Sequence, residues 1–165
     1  GAEGLTFELN TADAAFGGAV DSAVLISEAA SKAGINIKVV RQPNDGYWSN
    51  VWRTLPWCFC YWSGRPTEDW MFSTAYSSGA SWNDARWEHV RFNKLLNLAR
   101  GELNSDRRRE MYYEMQTIVR DEGGTAVPLF ADQVAAASTK LKYNTPIAGH
   151  YEFDGNRAQE RWWFA

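Results

Sequence analysis

Between residues 5 and 39 the apolar repeat changes from alternation to helical spacing and back, and this feature restricts the fold most. Leu5, Phe7 and Leu9 alternate with polar residues, the pattern of a half-buried strand. Thr11-Ala12-Asp13 and Gly17-Gly18 make a loop. Val20, Ala23 and Val24 then share one side of a helical repeat, with Asp21, Glu28 and Lys32 on the other. Gly34 provides a stop, and Ile35, Ile37 and Val39 alternate again. Strand, helix, strand at this spacing predicts a βαβ unit, two parallel strands joined by a right-handed crossover. The expected class is α/β, with a mixed, mostly parallel sheet flanked by helices.

Further along, Pro43-Asn44-Asp45-Gly46 is a turn cluster, and a short helix is expected over Tyr47 to Trp52. Trp57 to Trp62 is apolar throughout, which suits a buried strand, and Ser63-Gly64-Arg65-Pro66 breaks it. A helix is expected over Thr67 to Tyr76, with Glu68 and Asp69 in its favourable first turn. Ser77 to Asn83 reads as a small-residue loop. Phe92, Leu95, Leu96 and Ala99 define one helix. Met111, Met115, Ile118 and Val119 define another, opening near Ser105-Asp106 and closing at Gly123-Gly124. Ala126 to Phe130 is expected as a last core strand, and 131–165 as a strand or two plus an extended tail.

The 165 residues carry a net charge of −3, which argues against a nucleic-acid partner, since that needs a basic face. No apolar run approaches the 18 or so residues of a membrane span. The chain begins Gly1-Ala2-Glu3 with no Met and no secretory pattern, which points to processing or excision from something longer. Aromatic residues make up 15%, a surplus that suits either a binding surface or a bulky core. Trp162-Trp163-Phe164 lies at the terminus, where polar residues are the norm, and so asks for a partner surface.

Catalytic signatures are missing. His89 and His150 have no Cys, His or acid at metal-ligand spacing. They read as surface or hydrogen-bonded loop residues. There is no Gly-x-Ser-x-Gly elbow, phosphate loop or dinucleotide fingerprint. Glu68-Asp69 and Asp121-Glu122 are adjacent carboxylates, which diverge on a helix. Arg107-Arg108-Arg109 reads as a solvated face. Cys58 and Cys60 would lie about 6.6 Å apart on one side of a strand, at the limit of disulfide reach. They are expected as two buried thiols, too few to hold a metal. Neither enzyme activity, cofactor nor metal is expected.

The candidate binding residues come from two aromatic segments. One carries Tyr47 and Trp48, with Trp52 after them; the other ends in Tyr61-Trp62-Ser63-Gly64-Arg65. A strand with this ending places polar groups at the carboxyl edge of a parallel sheet, where open α/β sheets bind ligands. The expected ligand residues are Trp62, Arg65, Tyr61, Ser63, Tyr47 and Trp48. Arg65 would fork onto an anion, and Trp62 would supply an apolar wall. The competing reading puts most tryptophans in the core and Arg65 on its own turn.

Several stretches together resemble the C-terminal part of the family 5 extracellular solute-binding proteins, the receptors of dipeptide and oligopeptide ABC importers. These are Ala29-Ala30-Ser31-Lys32-Ala33-Gly34-Ile35-Asn36-Ile37, Tyr61 to Trp70, Phe92-Asn93-Lys94-Leu95-Leu96, Asp106 to Tyr112 and Val127-Pro128-Leu129-Phe130. The resemblance implies one lobe of a type II periplasmic-binding-protein fold over residues 1–130. Residues 131–165 would form an extended tail returning to pack on a first lobe outside this chain. It implies a hinged cleft for a small solute or short peptide, a membrane permease as partner and a periplasmic or extracellular location. Self-association of the fragment is expected from its uncovered surfaces. In the peptide-binding members an Asp soon after the strand-ending Trp pairs with the ligand amino group. Here Ser63-Gly64-Arg65 stands instead, so a carboxylate or other anionic group facing Arg65 is expected. A free-standing aromatic module, for example for carbohydrate, is the alternative.

Overall fold

The computed structural model describes residues 4–132, 134–149 and 151–165. The expectation for His150 and the reading of Gly1-Ala2-Glu3 lie outside them. The chain forms two compact units, Gly1–Trp62 and Ser63–Ala165.

In the first unit, β1 (Thr6–Thr11) and β2 (Asn36–Arg41) pair in parallel, from Thr6↔Asn36 to Thr11↔Arg41, with α1 (Ala19–Lys32) between them in sequence. The helix ends as expected: Gly34 takes φ +76°, Ile35 N donates to Ala30 O at 3.0 Å, and Gly34 N to Ser31 O at 3.0 Å. The face it buries differs from the sequence expectation. Ala19 and Ala23 are fully buried, while Val24 is 52% exposed. Small side chains at i and i+4 let the helix approach the strands, and Ser27 on the same stripe donates to Ile37 O at 2.6 Å.

Trp57 to Trp62 is not the buried strand expected. Residue 58 makes a single parallel bridge to Asn10, through Asn10 N to Trp57 O (3.1 Å) and Phe59 N to Asn10 O (3.0 Å). Cys58 and Phe59 pack on a core of Ala12, Ala15, Ala19, Tyr47 and Val51, and Phe59 tilts against Phe16 at 5.4 Å. The segment is covered on that side alone, and Tyr61 is 59% exposed.

In the second unit Thr67 caps α3 (Glu68–Met71), which runs directly into a π turn over Phe72–Tyr76. His89 caps α4 (Val90–Gly101) by accepting from Phe92 N at Nδ1, 3.1 Å away. Asn104 caps α5 (Ser105–Glu122) through Oδ1. Phe72, Phe92, Leu95, Leu96, Ala99, Met115 and Ile118 make its core. Both long helices match the sequence periodicity. Ala126 to Phe130 does not form a strand: it has no regular structure and is uncovered, and Phe130 is 93% exposed. Pro128 removes one N–H from its middle, and it pairs with no strand among the described residues.

The last residues form a two-stranded antiparallel sheet, β3 (Leu141–Tyr143) with β4 (Trp162–Phe164), in the register Tyr143↔Trp162. The short turns α6 (Glu152–Asn156) and α7 (Ala158–Arg161) lie between them. Phe153, Asp154 and Gly155 take left-handed φ values of 49, 62 and 69°. This turn places the buried Asp154 carboxylate so that it accepts from Ala148 N (2.7 Å), Arg161 Nη1 (2.9 Å) and Trp162 Nε1 (3.3 Å). These donors, Ala148 N first, hold Asp154 below the usual carboxylate range. No helix among the described residues is long and apolar enough to cross a membrane.

Candidate functional site

β1, β2 and the bridged segment 57–59 run in one direction, so the stretches of chain after them all emerge at one end of the first unit. A chain of amides fastens that end. Gln42 Nε2 donates to Asn10 Oδ1 at 2.7 Å, and Asn10 Nδ2 donates to Trp57 O at 3.0 Å. Asn44 Oδ1 accepts from Ala14 N at 3.0 Å, tying the turn after β2 to the loop after β1. Gly46 then opens α2 (Tyr47–Asn50) at φ +70°, where a Cβ would stand 2.6 Å from Asn50 Nδ2.

The helix directs Tyr47 inward and Trp48 outward. Tyr47 is buried, and its hydroxyl donates to Phe59 O at 2.7 Å. Burial raises its pKa, with the nearby Cys58 and Cys60 thiols adding to the effect. Trp48 is 40% exposed and meets Tyr61 edge-on at 5.6 Å and Trp52 at 5.9 Å. Arg53 lies 5.8 Å from the centre of the Trp52 ring. The outcome is a wall of rings, the exposed Trp48 and Tyr61 with the half-buried Trp52, at the carboxyl end of a parallel pair.

The six residues expected at the site divide accordingly. Trp48 and Tyr61 come together, and Trp62 comes next, half-buried. Tyr47 stands behind the wall as a core residue. Ser63 and Arg65 fall in the second unit. Arg65 Nη1 donates to Ser63 O at 2.9 Å and Gly64 O at 3.3 Å, and its guanidinium lies 5.6 Å from the Trp70 ring. Its own turn and Trp70 hold it in this conformation. Trp52 was absent from the expected set, although its i+4 spacing from Trp48 would have placed it on the same face. The Asn10–Gln42 pair left no sequence signal.

The second unit has its own polar centre. Asp69 accepts from Arg100 Nε at 2.8 Å and from the Tyr112 hydroxyl at 3.1 Å. The Arg100–Ser73 hydrogen bond closes the network. Arg100 holds Asp69 below the usual carboxylate range, and burial pushes Tyr112 up to about 12. An open cleft of about 490 Å³ lies alongside, between Glu68 and Asp69 on one wall and Arg108, Tyr112 and Gln116 on the other. The network clamps α3, α4 and α5, so its effect is on stability. Replacing Asp69 with Asn is expected to cost about 1 kcal/mol at pH 7, the low end for a charged hydrogen bond because Arg100 is half exposed. A depressed carboxylate stabilises the fold above its unfolded pKa of about 4, and that stability is lost as pH falls through the lower folded value. The wild-type advantage in urea unfolding should therefore narrow below about pH 4.

His89 Nε2 faces Glu122 at 3.3 Å while Nδ1 serves the α4 cap. Among the described residues no three His, Cys, Asp or Glu side chains are grouped to hold a metal ion.

No family model matches the chain, and no curated protein matches it. Solved structures do. NikZ from Campylobacter jejuni, in complex with Ni(L-His), is 19% identical with a TM-score of 0.62, over 73% of this chain and 25% of its own. The periplasmic binding protein DppA from Helicobacter pylori, in complex with the peptide STSA, is 17% identical with a TM-score of 0.57, over 74% and 25%. A putative peptide-binding protein, AppA from Clostridium difficile, is 15% identical with a TM-score of 0.59, over 72% and 25%. The chain thus spans about a quarter of the length of each. All three are solute-binding proteins of the family that the sequence motifs resemble, and at this identity the likeness shows the fold alone: the chain has a type II periplasmic-binding-protein fold, in part.

Proposed function

We propose that this chain is part of the substrate-binding receptor of an ABC importer and supplies one side of the cleft that captures a small solute. The observation that carries the reading is the wall at the carboxyl end of a parallel pair, in which Trp48 and Tyr61 are exposed and Trp52 is half-buried. Exposed rings of this kind offer a ligand face contact area with little loss of side-chain entropy. Trp62 follows Tyr61 in the first unit, and Ser63 and Arg65, which fall in the second, are polar ligand candidates on the sequence alone. NikZ holds a nickel–histidine complex and DppA a tetrapeptide, so an amino-acid-derived solute, peptide-like or carboxylate-bearing, fits the reading.

The same reading makes residues 1–130 the second lobe and 131–165 a segment that packs on a first lobe. The uncovered Val127, Leu129 and Phe130 lie where the chain would leave this lobe. The receptor works in the periplasm, or outside the cell in association with the membrane, with a membrane permease. Self-association of the chain alone is expected from the same uncovered side chains. The role is binding, without catalysis.

The test is native mass spectrometry of the receptor carrying this chain, purified from its host, followed by titration with STSA and Ni(L-His) as probes. A bound amino-acid-derived solute is expected. Trp48→Ala should weaken binding of that solute, or of whichever probe binds, by about thirtyfold, the loss typical of an aromatic hot spot. Affinity unchanged in both Trp48→Ala and Tyr61→Ala would overturn the reading.

A further inference from the structure

Cys58 and Cys60 have no part in the aromatic wall, yet their geometry is specific. Both are half-buried, and neither is in a disulfide. The backbone on either side of Cys58 is pinned by the two hydrogen bonds that Asn10 makes, to Trp57 O and from Phe59 N. The Tyr47 hydroxyl fastens the Phe59 carbonyl between them. Residues two apart in an extended segment put their side chains on one side, about 6.6 Å apart along the chain. A disulfide requires Cβ atoms about 3.5–4.5 Å apart, so closing one would break this pinning. A cation between two sulfurs asks for less. Two metal–sulfur bonds of about 2.3 Å span about 4.6 Å, which the thiolates reach by leaning toward each other.

We propose that Cys58 and Cys60 form a two-thiolate binding site for a soft monovalent cation, of which Cu(I) is the representative. The sequence expectation of too few ligands holds for metals that close a four-ligand shell, and that count selects the ion. No third Cys, His, Asp or Glu joins the pair among the described residues, so the closed four-ligand shell that zinc prefers is absent. Two thiolates alone suit a soft ion of low coordination number. Cys58 packs on the first unit's core and both thiols act on the buried Tyr47 hydroxyl, so the pair has a side turned away from water. Binding replaces two S–H bonds by two S–Cu bonds. It releases two protons to solvent, and copper remains Cu(I) throughout, so no electron acceptor is needed.

The experiment titrates the reduced, intact chain with the Cu(I)–bicinchoninate complex under argon and tracks loss of the complex's colour. One Cu(I) per chain is expected, with affinity rising from pH 6 to 8 as the thiols give up their protons. Cys58→Ser and Cys60→Ser should each weaken it by at least about a hundredfold, because a soft ion loses half of its ligand set. Should Cys58→Ser disturb the fold by far-UV circular dichroism, Cys60→Ala, at the end of the bridged segment, serves in its place. Full affinity in a folded single variant, one ion per two chains, or displacement of Cu(I) by equimolar Zn(II) would each overturn the proposal.

Discussion

Phe92→Ala is expected to destabilise the second unit by about 3–5 kcal/mol, the range for removing a large buried ring. Phe92 is fully buried in α4, and its ring lies 5.2 Å from Phe72 in the π turn and 5.1 Å from Trp87. Phe72 in turn stacks 6.3 Å from Tyr112 on α5. The ring therefore ties α4 to the π turn and, through Phe72, to α5, and its edge-to-face contacts add to its burial. Domains of ordinary stability have about 5–15 kcal/mol in total, so this change alone brings the unit close to unfolding at 25 °C. Urea unfolding monitored by far-UV circular dichroism measures it. Leu98→Ala, on the exposed side of the same helix, should stay within about 0.5 kcal/mol and reports any change in helix propensity. A loss below 1 kcal/mol for Phe92→Ala would show that the core closes around the gap.

The sequence foretold helices better than strands, for a physical reason. In α4 the set Phe92, Leu95, Leu96 and Ala99 repeats with a helical period, and all four are buried. A helix satisfies its own backbone, so its pattern is complete within one segment. A strand needs a partner that the pattern does not name. Trp57 to Trp62 and Ala126 to Phe130 have the composition of buried strands, yet one makes a single bridge and the other pairs with nothing described. The burial of α1 on Ala19 and Ala23 instead of Val24 is a related case: close approach to the strands favours small side chains over hydrophobicity. Of the aromatic wall, Trp48 and Tyr61 were legible as members of their aromatic segments. Their convergence was not, since it depends on Tyr47, Asn10 and Gln42 joining three stretches of chain by hydrogen bonds.

Tyr47 links that convergence to stability, and two substitutions should separate its ring from its hydroxyl. Tyr47→Ala is expected to cost about 3–5 kcal/mol, since it empties the largest position in the first unit's core. Tyr47→Phe keeps the ring and loses the donor to Phe59 O, which costs about 1–3 kcal/mol. The effects on the wall should differ in kind. Trp48 comes after Tyr47 on α2 and meets its ring edge-on at 5.5 Å, so Tyr47→Ala leaves Trp48 without support behind it. The near-UV circular dichroism from the Trp48–Tyr61 contact should collapse in Tyr47→Ala and persist in Tyr47→Phe. Alkaline unfolding gives an independent reading. Burial raises the Tyr47 pKa in the folded chain, so its contribution is fully present below the unfolded value of about 10 and is lost as pH climbs toward the folded value. Tyr47→Phe removes that ionisation and should unfold less steeply above about pH 10 than wild type. Equal alkaline slopes, together with an intact near-UV spectrum in Tyr47→Ala, would mean that the aromatic wall is held by its exposed rings and not by the residue beneath them.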